Sequence, residues 1–442
     1  MKKYKHYYWL LDQRFDFLIP WFQAYFGIEE RKDIAFVGSF HGPSRKGREW
    51  EGVTKELVGK SLGGEPVYIG QDAEADEAQW LEPDDINRAY GKWIQDNAFA
   101  AAFTGAGLPE CVDSFILTGA VAAKLNNKWE QYQLLSNRER ILTPKTVRID
   151  QEEYEAAKRK EALKKDVSFM RSSAGCGKVI LKRPDLSGGF RMQVIADDRD
   201  FEKYCSLSGG EALKGQLLIS EYIPHEQSFA GIGIVGRQNG RPKVSFCGIT
   251  EQVLYHELAY EGLIWPPFWN TESGRSVQAG KEEIENITGK IGWILAEQGY
   301  FGFYNVDFVE EENTGRMYAI EINARFGFST LLYALYCGKD SFFDAVLGCR
   351  PPVMDENSSD GARRLLGKIK GIPGKSYRDL SNMSDIESWF ADKGRFRACY
   401  LREEVYKYGS FAGLFGETIS MEVDRRTAIA RFMDSCLLRD RG

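Results

Sequence analysis

Residues 301–330 read FGFYNVDFVEEENTGRMYAIEINARFGFST. Two apolar runs, Phe301–Val309 and Met317–Ile322, flank a polar stretch, Glu310–Arg316, in which Asn313, Thr314 and Gly315 are turn formers. The pattern predicts an antiparallel hairpin. With the turn centred near Thr314, Asp307 lies opposite Glu321. A side-chain period of two then sends Asn305, Asp307, Glu321 and Asn323 to one face. Carboxylates gathered there repel one another, at a burial cost on the order of several kcal/mol unless a cation sits between them. Hard oxygen ligands without a nearby His or Cys suit Mg²⁺, which usually brings phosphate. Arg325, two residues past Asn323, is a rigid fork suited to phosphate or carboxylate. The competing reading, a solvated acidic hairpin, is disfavoured by the apolar flanks.

A chain of 442 residues is too long for one ordinary core and predicts two to four domains or lobes. Its 43% apolar and 28% charged content is that of a soluble globular protein. A formal charge of −6 carries no nucleic-acid footprint. No apolar run approaches the roughly 18 residues that span a bilayer, so no membrane partner is expected. The start, MKKYKHYYWLLDQRFDF, is basic like a secretory signal, but its apolar segment ends at Asp12 and no small-residue cleavage site follows. Eight cysteines occur singly with no CxxC, as free thiols in a reducing cytoplasm would. The four histidines, His6, His41, His225 and His256, never pair at metal spacing, which argues against chemistry built on a His base.

Residues 1–118 read as an α/β unit in which Asp33–Gly38, Pro66–Gly70 and Asp113–Leu117 are parallel strands. The glycines of Thr104-Gly-Ala-Gly107 read as a plain loop rather than a phosphate turn. A helix carrying Lys128 runs to about Ser136, and Thr143-Pro144-Lys-Thr146 breaks the chain before the next strand. Residues 135–220 form a compact α+β lobe: helix Glu152–Lys165, strand Val179–Lys182, strand Arg191–Ile195, a helix near Asp198–Leu207 and strand Leu217–Glu221. Lys182 at a strand end, followed by Ser187, Gly188 and Gly189, makes an anion trap in which backbone N–H groups close on phosphate oxygens. Past Glu221-Tyr222-Ile223 the chain is broken by Pro224, leaving backbone groups unpaired that can read a purine edge; Glu226 follows. A hairpin, Phe229–Ile249, turns at Gln238-Asn-Gly240. Glu251–Arg275 is read as irregular, a lid or substrate pocket as readily as surface packing, with Tyr255, Tyr260, Trp265, Phe268 and Trp269 available to a bulky substrate. Helix Lys281–Gln298 is core. Beyond Phe343, Gly361–Ile372 and Phe396–Val405 read as strands, Asp355–Gly361 as a linker and Arg425–Leu438 as a closing helix.

The order of Lys128, Lys182 with its Gly-Gly loop, Glu221-Tyr-Ile, Asp307 and Glu321-Ile-Asn-Ala-Arg325 resembles the ATP-grasp superfamily over roughly residues 115–345. The closing acidic-x-Asn-x-Arg is similar to that of the biotin carboxylase and carboxylate–amine ligase branches. The resemblance implies two α+β lobes clasping ATP, preceded by a Rossmann-like α/β pre-ATP-grasp domain. The expected division is residues 1–118, an ATP-grasp domain over 119–350 with its flap lobe at about 135–222, and a C-terminal α+β extension over 351–442. It implies that Lys128 and Lys182 contact ATP phosphates, with Ser187, Gly188 and Gly189 in the phosphate flap. Glu221, Tyr222 and Ile223 would hold adenine, Glu226 the ribose, and Asp307, Glu321 and Asn323 two Mg²⁺ ions. Arg325 and Lys182 would be catalytic, Arg325 on the reacting carboxylate. Two departures stand out: the flap is Ser-Gly-Gly-Phe rather than a longer glycine run, and Glu226 sits one residue closer to the hinge than in peptide ligases. The implied activity is ATP-dependent joining of a carboxylate and an amine, amino acids or small peptides, through an acyl phosphate. A homodimer is the default assembly. A bicarbonate-dependent carboxylase and a non-catalytic ATP-binding regulator are the alternatives.

Overall fold

The computed structural model describes residues 124–354, apart chiefly from 151–155, 185–191, 207–212, 270–275 and 338–350, together with the backbone of seven strands outside that span. Five of those seven form a parallel sheet: β1 His6–Leu11, β2 Ile34–Gly38, β3 Val67–Tyr68, β4 Ala98–Phe103 and β5 Asp113–Phe115, in the order β3-β2-β1-β4-β5. Tyr7 registers with Ile34 on one side and Phe99 on the other. The run dismissed as a leader is thus the central strand. The alanine-rich β4 was also absent from the sequence reading, because Ala carries little strand propensity. The Thr104–Gly107 stretch, expected to be a plain loop, lies outside the described residues.

The second sheet is four-stranded and antiparallel. It contains β6 Thr146–Ile149, β7 Val179–Lys182, β8 Gln193–Ile195 and β9 Leu217–Glu221, ordered β6-β9-β7-β8. Leu163, Val167 and Met170 of one helix and Phe201 and Tyr204 of another pack against Val179, Leu181, Ile195, Leu217 and Ile219. The first of these helices, Ala156–Ser173, runs eight residues past the predicted Lys165, and the second, Asp198–Ser206, ends one residue early.

A seven-stranded antiparallel sheet carries the rest. Its strands are β10 His225–Gln238, β11 Arg241–Tyr255, β12 Ala259–Trp265, β13 Gly302–Glu311, β14 Met317–Asn323, β15 Phe396–Leu401 and β16 Gly413–Phe415. The order β14-β13-β10-β11-β12-β15-β16 leaves β14 on an edge. Strands from the C-terminal extension therefore continue this sheet. Expected elements at 361–372 and 425–438, and the linker 355–361, lie outside the described residues. Helix Val277–Glu297 is capped by Ser276, whose Oγ accepts from Ala279 N at 3.1 Å. It begins four residues before the predicted start. Its Ile284, Ile287, Ile291, Ile294 and Leu295 recur at helical spacing and cover Phe229, Tyr304, Val306, Phe308 and Ile322 on one face of the sheet. The opposite face carries Asn305 and Asp307 and is partly covered by helix Phe328–Cys337, whose Tyr333 ring lies 5.7 Å from that of Phe303.

One expectation fails here. Residues 251–265 are mostly strand: Glu251–Tyr255 extends β11 and Ala259–Trp265 is β12, paired through Glu251↔Ile264 and Gln252↔Leu263. Trp265 is buried edge-on to Tyr336 at 5.2 Å, and Trp269 stacks on Phe229 at 4.6 Å. Both rings are core rather than pocket wall. Aromatic residues are themselves strand formers, and Gly262 broke the apparent pattern without breaking the pairing. The side chains of Tyr255, Tyr260 and Phe268 lie outside the described residues.

Candidate active site

The β13–β14 hairpin has the predicted register, reached through an irregularity. Near the turn Glu310 pairs with Met317 and Phe308 with Ala319; between Asp307 and Phe308 the register shifts by one, so that Asp307 meets Glu321 and Asn305 meets Asn323. Without that bulge Asp307 would face Ile320. Gly315 closes the turn at φ +65°, a conformation open to glycine, and Arg316 Nη2 lies 2.8 Å from Glu311 Oε2 beside it.

On the face away from the helix, Asp307 Oδ2 accepts from Asn323 Nδ2 at 3.0 Å, and Asp307 Oδ1 from Gln252 Nε2 at 2.9 Å. Arg325 Nη2 donates to Asn323 Oδ1 at 3.0 Å. Ser228 Oγ in turn donates to Gln252 Oε1 at 2.7 Å. Burial, and then the Glu321 charge opposite, push Asp307 up to about 7, against the pull of Arg325 and its two amide donors. Glu321 moves the other way. Burial works to raise it, but Lys128, Lys182 and Arg325 outweigh that and hold it below the usual carboxylate range.

The lysines come from two other elements, Lys128 from a helix start and Lys182 from the end of β7. Asn127 caps helix α1, Lys128–Ser136, its side-chain oxygen accepting from Trp129 N and Glu130 N at 2.9 and 3.3 Å. The helix therefore starts on Lys128, whose Nζ reaches Glu321 Oε1 at 2.9 Å with only 9% of its side chain exposed. Its backbone N donates to Pro184 O at 2.9 Å, two residues beyond Lys182. Desolvation, reinforced by Lys128 and opposed by Glu321, lowers Lys182 to about 8. Glu321 thus lies within electrostatic reach of Lys128, Lys182, Asp307 and Arg325, and Asn323 links Asp307 to Arg325 through hydrogen bonds.

The donor chemistry fits a hard divalent cation. Two carboxylates and the Asn323 amide converge, and beside them Asn305 is 4% exposed with an Oδ1 that has no hydrogen-bond partner among the described residues. Among the described residues no three His, Cys, Asp or Glu side chains cluster, so the set depends on amides as well as carboxylates.

No family model matches the chain. Among solved structures, N5-carboxyaminoimidazole synthetase from Staphylococcus aureus, complexed with ADP, superposes with a TM-score of 0.52 at 13% identity, covering 79% of each chain. Carboxyaminoimidazole ribonucleotide synthase from Aspergillus clavatus, complexed with ATP, gives 0.52 at 10% identity over 79% of this chain and 78% of that one. The chain has the ATP-grasp fold. A curated relative, a butirosin acyl-carrier protein–L-glutamate ligase of Niallia circulans, is 26% identical over 153 residues. That match covers 35% of this chain and 34% of the relative, so it spans about a third of each.

Within the ATP-grasp fold, the Glu221–Ile223 hinge joins β9 to β10 as expected, but most of its backbone is paired. Glu221 N donates to Lys145 O at 2.8 Å and Tyr222 N to Lys178 O at 3.2 Å. Tyr222 O accepts from Cys176 Sγ at 3.2 Å, Ile223 O lies 2.7 Å from His225 Nδ1, and Pro224 O accepts from Glu312 N at 2.9 Å. A proline-broken link buried between two sheets finds partners in both. Among the described residues, Ile223 N–H is the hinge donor without one. Glu226 sits at a register shift between His225 and Gln227, which re-aims its side chain relative to a regular strand. Ser187, Gly188 and Gly189 lie outside the described residues.

Three features of the site had no place in the sequence reading. Gln252 holds Asp307, Gln131 docks α1 onto β14, and helix Phe328–Cys337 brings Thr330 Oγ1 to Asn305 Nδ2 at 3.4 Å. The last was legible as the apolar run Phe328–Tyr336, too long for an ordinary strand end. Among the described residues Cys176, Cys205, Cys247 and Cys337 form no disulfide, and no helix is long and apolar enough to cross a membrane.

Proposed function

We propose that this protein is an ATP-dependent ligase that joins a small carboxylate to an amine, forming an amide or peptide bond through an acyl phosphate. The observation that carries the reading is the position of Glu321, ion-paired to Lys128 and directly opposite Asp307, with Lys182 and Arg325 acting on the same charges. A carboxylate is a poor electrophile at neutral pH. Arg325 holds it so that a carboxylate oxygen attacks the γ-phosphorus of ATP and the bond from that phosphorus to the β–γ bridging oxygen breaks, while Lys128 and Lys182 neutralise charge on the phosphates as ADP leaves. The acyl phosphate then offers phosphate as leaving group, and the amine attacks its carbonyl carbon, giving the amide, inorganic phosphate and a proton. Two Mg²⁺ ions, held by Asp307, Glu321 and Asn323, would supply electrostatic stabilisation of the phosphates when bound.

The roles assigned to the remaining residues follow the same reading. Ser187, Gly188 and Gly189 cover the phosphates and exclude water from the acyl phosphate. Tyr222 and Ile223 face adenine, with Ile223 N–H as donor and Glu221 at its edge, and Glu226 reaches the ribose. Residues 1–118, 119–350 and 351–442 form the pre-ATP-grasp, ATP-grasp and C-terminal units. The substrates are amino acids or small peptides, and the protein works in the cytoplasm as a homodimer. Support comes from the solved ATP-grasp neighbours, which are ADP and ATP complexes, and from the relative named as a ligase of L-glutamate.

The test is a screen for phosphate release from Mg·ATP by the purified protein with pooled amino acids and short peptides. The reading expects release that one acceptor pool stimulates and that Asp307→Asn abolishes. Absence of ADP above background with every pool would refute it, and bicarbonate-dependent ADP release without amine would redirect it to carboxylation.

A further inference from the structure

We propose that Gln131 is a positioning residue for the metal-binding strand, a role that rests on the ligase reading above. β14 lies on the edge of the seven-stranded sheet, so among the described residues one side of its backbone has no strand to pair with. Toward the turn this edge is covered by the main chain, Ala319 N donating to Leu142 O at 2.8 Å. At the other end the cover is a side chain. Gln131 Nε2 donates to Ile322 O at 2.8 Å, and Gln131 Oε1 accepts from Ile322 N at 2.9 Å. The amide thus makes both hydrogen bonds that a neighbouring strand would make with that residue. Its second Nε2 hydrogen goes to Leu125 O at 2.6 Å, and the side chain is 4% exposed.

Ile322 sits between Glu321 and Asn323. Gripping its N–H and C=O fixes the peptide planes on either side, and with them the directions in which both oxygen-bearing side chains leave the strand. The same helical turn carries Lys128 three residues earlier, with its Nζ on Glu321 and its N–H on Pro184 O, just past Lys182. One turn of helix therefore ties the strand of Lys182 to the strand of Glu321. Gln131 touches neither nucleotide nor metal in this scheme; it sets the distance between the groups that do.

The test compares Gln131→Leu, and Gln131→Met where the branched side chain impairs folding, with wild type. Two readouts are needed: amide hydrogen exchange at Ile322 without nucleotide, and Mg·ATP affinity by calorimetry across a Mg²⁺ titration. Faster exchange at Ile322 is expected, with affinity weakened roughly 10- to 100-fold and partly recovered at high Mg²⁺. A role confined to stability would lower the melting temperature and leave the affinity and Mg²⁺ requirement of the folded protein unchanged, and that result overturns the proposal. Unaltered exchange at Ile322 overturns it too. Failure of the wild type to bind Mg·ATP would instead defeat the ligase reading, and it is separable because the exchange measurement uses no nucleotide.

Discussion

Lys128 Nζ lies 2.9 Å from Glu321 Oε1, joining the first residue of a helix to the third-from-last residue of the edge strand β14. In the ligand-free protein this contact compensates a carboxylate that would otherwise repel Asp307. On the proposed reading, entry of nucleotide and cation would turn the ammonium to phosphate while the cation takes over the carboxylate. Lys128→Met is therefore expected to weaken Mg·ATP binding roughly 30-fold, about 2 kcal/mol, and to destabilise the free protein by about 1 kcal/mol. Calorimetric titration and thermal melts of the two proteins measure both. An unchanged nucleotide affinity would show that Lys128 serves only as the carboxylate's partner.

Asp307→Asn should separate stability from activity. Asp307 is held up to about 7 by burial and by Glu321, so the folded state binds its proton more tightly than the unfolded chain does. For this group alone, stability falls as pH rises from about 4 through 7. Removing the charge is expected to stabilise the free protein by roughly 1 kcal/mol at pH 8 while abolishing Mg²⁺-dependent turnover. A variant that melts earlier than wild type at pH 8 would contradict the charge-repulsion account of this pair.

The lowered Lys182 gives a second pH signature. Between about 8 and its ordinary 10.5, the folded protein has lost this proton while the unfolded chain retains it. Stability of the free protein accordingly rises with pH through that window as far as Lys182 is concerned. On the proposed reading ATP reverses the preference, because its phosphates would favour the ammonium. Binding should take up a proton near pH 8 to 9, measurable by calorimetry in buffers of different ionisation enthalpy, and Lys182→Arg should remove the uptake. Binding without proton exchange in that range would place Lys182 away from the phosphates.

Gly327 is a steric requirement of the site. A Cβ there would lie 2.9 Å from Asn305 Nδ2 and 3.9 Å from Arg325 Nη1. Gly327→Ala is expected to cost about 1–3 kcal/mol of stability or to displace Asn305. Gly231→Ala, whose Cβ would run into Thr288 Oγ1 and lie 3.1 Å from Ile284 Cγ2 on the opposite face, should cost as much without altering nucleotide affinity in the folded protein. Equal effects of the two on nucleotide binding would argue that Gly327 has no particular link to the site.

The site hairpin was legible because three local signals agreed: apolar runs of strand length, turn formers at 313–315, and polar residues at every second position on one side. The bulge that brings Asp307 opposite Glu321 was not, since nothing in the local pattern marks which residue slips. Gln131 and Ile322 are 191 residues apart, and a contact of that range leaves no periodic trace. β12 was hidden for another reason. Its glycine and aromatic residues look like loop in isolation, and only pairing with β11 on one side and β15 on the other makes them strand. Likewise the aromatic start of β1 becomes interpretable only once β2 and β4 flank it.

The most direct test of the central claim is calorimetric titration of the wild-type protein with ATP, with and without Mg²⁺, beside Glu321→Gln. The account predicts one nucleotide bound per chain in a Mg²⁺-dependent manner, with that dependence lost in the variant. Wild-type protein that binds no ATP at millimolar Mg²⁺, or binds it equally well in both proteins with the metal removed, would contradict it.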